Sequence, residues 1–160
     1  MWLIAQLLAL LTVANGTPVI AAKVFGRALA VPVDGNADFL DGRPLFGPSK
    51  TLRGVVLSIL VTSAFAPLIG LEWKLGALVA ATAMIGDLFS SFLKRRMNLS
   101  AISQFVGLDQ IPESLLPLLA CWFLLPLTVF DIALATVIFV VGALALSRVL
   151  FKLNIRDRPY

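Results

Sequence analysis

Three short stretches gather the side chains best able to do chemistry. The first is Asp41-Gly42-Arg43-Pro44-Leu45-Phe46-Gly47-Pro48-Ser49-Lys50-Thr51-Leu52-Arg53-Gly54, where Arg43, Lys50 and Arg53 are spaced among turn-forming Gly and Pro. Arginine forks and lysine point charges are the usual phosphate binders, so this spacing suggests a cationic cradle; the plainer reading is a solvated basic loop. The second is Gly86-Asp87-Leu88-Phe89-Ser90-Ser91-Phe92-Leu93-Lys94-Arg95-Arg96. On a helix, Asp87, Ser90, Ser91 and Lys94 fall at i, i+3, i+4 and i+7, which aligns a carboxylate, two hydroxyls and an ammonium on one face. An ionisable group within an apolar segment costs ~2.5–3.5 kcal/mol to insert into a membrane and marks a functional site by default; the plain alternative is a carboxylate that only pairs with Lys94 or an Arg. The third is Gly107-Leu108-Asp109-Gln110-Ile111-Pro112-Glu113-Ser114, where Asp109 or Glu113 could simply cap the next helix. If the flanking helices pack antiparallel, Asp109 instead approaches Asp87. Two carboxylates beside several cations can hold Mg²⁺ with a polyphosphate, because Mg²⁺ takes few protein carboxylates and fills its shell with phosphate oxygens and water.

Other chemistries are excluded. Histidine is absent, which removes His-based general bases, His-containing triads and the usual zinc sites. The single cysteine, Cys121, lies in an apolar run and cannot form an intramolecular disulfide. Gly42 and Gly47 have the gap of a P-loop, but Pro48-Ser49 follows in place of Lys-Ser/Thr. Asp34-x-Asn36-x-Asp38 starts like a calcium loop, but Phe39 replaces the required Gly and Leu45 the closing Glu. What remains is chemistry by carboxylates, cations, hydroxyls and a hard metal.

Long apolar elements must position these clusters. Of the 160 residues, 59% are hydrophobic and only 14% charged, against roughly a quarter charged in soluble domains, so the chain reads as one membrane domain over residues 1–160. Since ~20 apolar residues cross the hydrocarbon, the uncharged runs predict five spans: Met1–Ala22, Gly54–Leu71, Leu75–Leu93 (interrupted by Asp87), Ser114–Phe130 and Ile132–Ser147. The first lacks the basic start and small-residue cleavage site of a signal peptide and is expected to be retained. Pro18, after Asn15-Gly16-Thr17, predicts a break or kink in it, with the lost backbone bond repaired locally. Five cations lie between Lys23 and Arg53, three at Lys94–Arg96 and four at the C-terminal end (Arg148, Lys152, Arg156, Arg158), leaving only Lys74 opposite. The positive-inside rule then puts the N-terminus outside, the C-terminus in the cytoplasm, and cytoplasmic loops at about 23–53 and 94–113. The fold expected is all-α with five transmembrane helices. The longer loop contains Phe25, Phe39, Leu40, Leu45 and Phe46, which can pack, and is expected to be ordered.

Asn15 with Pro18, Asp41-Gly42-Arg43-Pro44 through Phe46-Gly47, Lys50-Thr51 with Arg53-Gly54, Gly86-Asp87 with Ser91 and Lys94-Arg95, and Asp109-Gln110 occur in a fixed order among these spans. In that order they resemble the CDP-archaeol synthase family and, more remotely, the bacterial phosphatidate cytidylyltransferases. The resemblance implies transfer of CMP from CTP to an anionic lipid phosphate, archaetidic-acid-type or phosphatidic acid, with Mg²⁺ as cofactor. The site would face the cytoplasm in a multi-pass protein of the cell membrane, with CTP, the lipid acceptor and membrane lipids as partners and no nucleic acid. It implies that Asp87 and Asp109 are metal ligands and, with Lys94, the catalytic set, and that Asp41, Arg43, Lys50, Thr51, Arg53, Ser91, Arg95 and Gln110 contact substrate. The chain departs from the family after Asp109-Gln110: a further Asp usually follows closely, whereas here Pro112 and Glu113 follow.

The chemistry agrees with the resemblance. Transfer at phosphorus needs positioning and charge neutralisation more than covalent catalysis, and a lipid phosphate is already ionised. Two rivals are weaker. Asp38-Phe39-Leu40-Asp41-Gly42 begins like a CDP-alcohol phosphotransferase motif, but Leu45-Phe46 stands where Ala-Arg is needed. A lipid-binding or transport protein using the cationic face would predict no particular order among the three clusters and would place charged residues deeper in several spans.

Overall fold

The structure, a computed structural model, describes residues 1–98 and 108–152, with side chains as far as Arg148. Gly107 of the third cluster and the tail residues Arg156, Asp157 and Arg158 lie outside the described residues. Five helices follow one another: α1 (Trp2–Phe25), α2 (Leu52–Phe65, extended by a 3-10 turn at Ala66–Ile69), α3 (Trp73–Arg96), α4 (Gln110–Trp122) and α5 (Val129–Lys152). Among the described residues there is no strand, only two isolated antiparallel bridges in the α1–α2 loop, Pro32 with Thr51 and Asp38 with Pro44. The expected all-helical class holds.

Local chemistry sets the helix ends. Thr51 caps α2 by accepting the Gly54 N–H on its hydroxyl at 3.2 Å, and Gly70 closes the following 3-10 turn at a left-handed φ of 81°. Thr128 and Asp131 form a reciprocal cap on α5: Thr128 N–H and hydroxyl donate to the Asp131 carboxylate at 2.9 and 2.7 Å, and Asp131 N–H donates back to the Thr128 hydroxyl at 3.1 Å.

Two features differ from the sequence reading. Pro18 does not break α1, which runs unbroken from Trp2 to Phe25. The missing Pro18 N–H would leave the Ala14 carbonyl open, and the buried Ser58 hydroxyl of α2 donates to that carbonyl at 2.7 Å. The repair is therefore tertiary, not local. The uncharged run Ser114–Phe130 is not one continuous span either: α4 starts at Gln110 and ends at Trp122. Leu124 and Leu125 both donate to the Cys121 carbonyl in a closing turn, Pro126 cannot continue a helix, and the Thr128 cap starts α5. Hydropathy counts apolar letters and does not see this turn. Among the described residues, four helices are long and apolar enough to cross a membrane: Trp2–Phe25, Leu52–Ile69, Trp73–Arg96 and Val129–Arg148. At 13 residues and 1.5 Å per residue, α4 is only about 20 Å long.

α3 is the central helix, packed on α1, α2 and α4, while α5 rests against α4 and α1. The main core joins Ile4, Leu7, Leu10 and Leu11 of α1 to Ala66, to Leu75 and Val79 of α3, to Leu118 and Cys121 of α4, and to Ile132, Ala135 and Phe139 of α5. The start of α1, end of α2, start of α3, end of α4 and start of α5 thus share one end, so the five helices alternate in direction. Next to the main core, at mid-helix toward the other end, a second cluster is built of small residues, Ala14, Ala80 and Ala83 with Met84, which lets the backbones approach.

Candidate functional site

The charged clusters meet at the end of the bundle opposite the main core. The site exists because α3 and α4 touch backbone to backbone. Gly86 abuts the Pro112 carbonyl and the Glu113 amide so closely that a Cβ there would collide with both. Pro112 tolerates its place because a first-turn residue needs no N–H. The contact brings Asp87 of α3 against Glu113 of α4.

The predicted stripe on α3 is present. Asp87 receives the Lys50 ammonium on both carboxylate oxygens, at 2.5 and 2.6 Å. Glu113 is half-buried and lies against the Asp87 carboxyl, close to Lys50 and Asp109. Two turns further along the stripe, buried Lys94 pairs with buried Asp109 at 2.9 Å. Ser90 and Ser91 are buried, and both hydroxyls donate to the Asp87 backbone carbonyl, at 2.9 and 2.8 Å. Gln110 is buried beside Asp109 at the start of α4. Five charged side chains from a loop and two helices thus form one row: Lys50, Asp87, Glu113, Asp109 and Lys94.

The other predicted residues have separate partners. Arg43 donates to the carbonyls of Arg95 and Arg96 at 3.3 and 3.0 Å, closing the C-terminal end of α3, where a cation is favoured. Arg96 answers by pairing with Asp41, donating to the Pro44 carbonyl at 2.8 Å, and lying over the Phe39 and Phe92 rings at 4.8 and 5.0 Å. Arg95 donates to the Phe46 carbonyl at 3.3 Å, and Gly47, at φ 93°, packs against its guanidinium. Arg53 donates to the carbonyls of Ala28 and Gly26 just beyond α1 and lies 5.7 Å from the Phe25 ring. Thr51 serves the α2 cap. Asp41, Arg43, Arg95 and Arg96 therefore clip the loop to the end of α3, while Thr51 and Arg53 fix helix ends. Of the matched residues on α1, Asn15 donates to the Leu11 carbonyl at 3.0 Å, and Pro18 packs against Gly54.

Two residues carry more than the sequence reading assigned to them. Asp34 organises the loop: its carboxylate accepts the N–H groups of Phe46 and Gly47 at 2.9 Å each and of Asn36 at 3.1 Å. Partial desolvation raises its pKa, but the bonds from Gly47, Phe46 and Asn36 outweigh that and leave the carboxyl below its usual value. The signal available in the sequence was Asp34-Gly35-Asn36, a turn able to bond its own backbone. In the sequence Glu113 is a departure from the family pattern, and no spacing rule shows that Gly86 draws it onto Asp87.

A hard cation suits these donors only in part. Asp87, Glu113 and Asp109 offer carboxylate oxygens, the right chemistry for Mg²⁺. Among the described residues, however, no three acidic, His or Cys groups already form a metal cage, and Asp87 and Asp109 each hold a lysine. The residues fit a metal that arrives with phosphate oxygens of its own.

Fold and site together define a polytopic helical membrane protein with an acid-and-lysine site at one end of the bundle. Residues 65–160 match the model of the CarS-like CDP-archaeol synthases. CDP-archaeol synthase from Hyperthermus butylicus is 38% identical over 104 residues, covering 61% of this chain and 59% of that protein. The Pyrococcus furiosus protein of that name is 36% identical over 107 residues, covering 61% and 60%. These two matches span about three fifths of the relatives' length. The Pyrobaculum calidifontis CDP-archaeol synthase is 31% identical over 153 residues, 92% of this chain and 91% of the relative. The solved structure of an intramembrane enzyme of archaeal membrane lipid biosynthesis superposes with a TM-score of 0.72 at 26% identity, over 85% of this chain and 89% of that one. The chain belongs to the CDP-archaeol synthase family.

Proposed function

We propose that this protein is a membrane cytidylyltransferase that moves CMP from CTP to an archaeal-type, ether-linked lipid phosphate. The observation that carries this reading is the row Lys50, Asp87, Glu113, Asp109 and Lys94, assembled at one end of an apolar bundle in a chain of this family. An ionised oxygen of the lipid phosphate attacks the α-phosphorus of CTP, the bond to the bridging oxygen breaks, and pyrophosphate leaves. Lys50 and Lys94 are the cations nearest the acids and neutralise phosphate charge. Asp87, Glu113 and Asp109 would hold Mg²⁺, which neutralises triphosphate charge when bound. The clip formed by Asp41, Arg43, Arg95 and Arg96 holds the loop over the site, so that Lys50 is delivered to α3.

All five helices cross or insert into the bilayer in this reading, with the N-terminus outside and the site facing the cytoplasm. Supporting this, the three tryptophans, Trp2, Trp73 and Trp122, are all exposed and all lie at the end that is poor in cations, as an interfacial aromatic belt would. α4 is short, and the apolar segment Phe123–Thr128 adds to its length.

The test is to incubate the detergent-purified protein with α-labelled CTP, Mg²⁺ and either digeranylgeranylglyceryl phosphate or phosphatidic acid. Labelled CDP-lipid from the ether-linked acceptor is expected. No label with either acceptor overturns the activity, and label with phosphatidic acid alone overturns the acceptor.

A further inference from the structure

The Lys50–Asp87 pair has a consequence for how the site loads. The Lys50 ammonium touches both oxygens of Asp87, and Glu113 lies against the same carboxyl, so the carboxylate faces a cation on one side and an acid on the other. A divalent cation seeking Asp87 meets an oxygen pair that is already occupied. The Lys50 backbone is fixed: its carbonyl accepts the Val33 N–H at 2.8 Å, its own N–H donates to Gly47, and Thr51 bridges to Pro32. Only the four-carbon side chain is free to swing. The pair is partly buried, with side chains 23% and 20% exposed, so an ammonium displaced without a new partner would lose a contact that water replaces only in part.

We propose that Lys50 is a place-holding cation, which keeps the acidic site neutralised until metal and nucleotide arrive together and then transfers to the triphosphate. The inference rests on the cytidylyltransferase reading for the identity of the nucleotide. A metal ion alone must expel Lys50 with nothing to receive it, whereas metal with CTP supplies Asp87 with a cation and Lys50 with an anion in the same step. Metal and CTP then bind with positive coupling, each raising the affinity for the other, by the ~5–150-fold typical of linked sites. The lack of a ready-made metal cage among the described residues agrees with this order of loading.

The prediction runs against the ordinary expectation for a binding-site lysine. With Mn²⁺ as the probe, measured by loss of its free electron paramagnetic resonance signal in detergent without nucleotide or lipid, Lys50→Gln is expected to bind the metal alone at least several-fold more tightly than the wild type. Lys50→Arg, which keeps the cation, is expected to bind it as the wild type does. Adding Asp87→Asn to Lys50→Gln is expected to abolish the gain. In the wild type CTP is expected to raise Mn²⁺ affinity by more than free Mn²⁺–CTP complexation accounts for, and in Lys50→Gln by much less. Unchanged or weaker Mn²⁺ binding in Lys50→Gln overturns the proposal. Should that variant not fold, absence of coupling between CTP and Mn²⁺ in the wild type overturns it instead. The lipid-labelling assay separates the two readings: labelled lipid with no gain in Lys50→Gln sinks the place-holder and keeps the enzyme, while a gain with no labelled lipid does the reverse.

Discussion

The two ends of the bundle are built on opposite principles. At the end holding the starts of α1, α3 and α5, leucines fill the space: Leu7, Leu10, Leu11 and Leu118 are buried, and the three tryptophans sit exposed at the rim. Toward the other end the helices touch through Ala14, Ala80, Ala83 and Gly86, and the side chains that follow are charged. The large side chains hold the first end by shape, whereas the small ones toward the second end bring backbones close enough for short side chains from different helices to meet. Asp87 and Glu113 lie together where a Cβ on Gly86 would collide with the Pro112 carbonyl and the Glu113 amide. A packed half thus serves as the support for a half whose own contacts are polar.

That contrast can be broken on either side. The largest effect is expected at Asp87→Asn: cytidylyl transfer should fall roughly 10²–10³-fold, as when a key electrostatic group is removed, with the thermal midpoint in detergent little changed. At the apolar end, Leu118→Ala should cost about 2–5 kcal/mol through the cavity it leaves, read as a lowered midpoint, while KM for CTP in the surviving protein stays the same. Gly86→Ala should do both in moderation. Overpacking there costs about 1–3 kcal/mol, and forcing α4 away from Asp87 should lower kcat beyond what the loss of stability explains. Activity lost in proportion to stability would mean that the small-residue contact does not position the acids.

Smaller effects are expected in the clip. Arg96→Ala removes a pair to Asp41, two ring contacts and two carbonyl bonds, worth about 1–2 kcal/mol together, and should expose the α1–α2 loop to proteolysis near Arg43 and raise KM for CTP. The smallest effect is the pH response of Asp34. Because its folded pKa lies below the ordinary 3.8, its contribution is complete above that value and is lost as pH falls through the lower folded one. Loop protection should therefore persist on acidification to about pH 4 and fail below it, measured by proteolysis with an acid-active protease. Asp34→Asn should lack that step and be less protected at neutral pH.

Much of this was legible in the sequence. The scarcity of charge announced the membrane, and i, i+3, i+4, i+7 spacing placed Asp87, Ser90, Ser91 and Lys94 on one helical stripe, which α3 bears out. The misreadings came where one part of the chain answers another at a distance. The local repair expected at Pro18 comes instead from the Ser58 hydroxyl, 44 residues on from Ala14, and the apolar run from Ser114 hid a turn because Pro126 and the Thr128 cap carry no weight in a hydropathy count. The loop cations looked alike in sequence. In the fold, Lys50 meets Asp87, Arg43 and Arg96 bind the loop to α3, and Arg53 closes the end of α1.

Residue type and local spacing by themselves determined the helical class, the apolar elements, the concentration of charge near one set of helix ends and the kind of chemistry those charges allow, because each depends on nearest neighbours and on solvent preference. Which carboxylate holds which lysine, and that Glu113 joins Asp87, was decided by the tertiary structure alone. Those pairings depend on how closely α3 and α4 approach, and that distance is set by a glycine on one helix meeting the backbone of another.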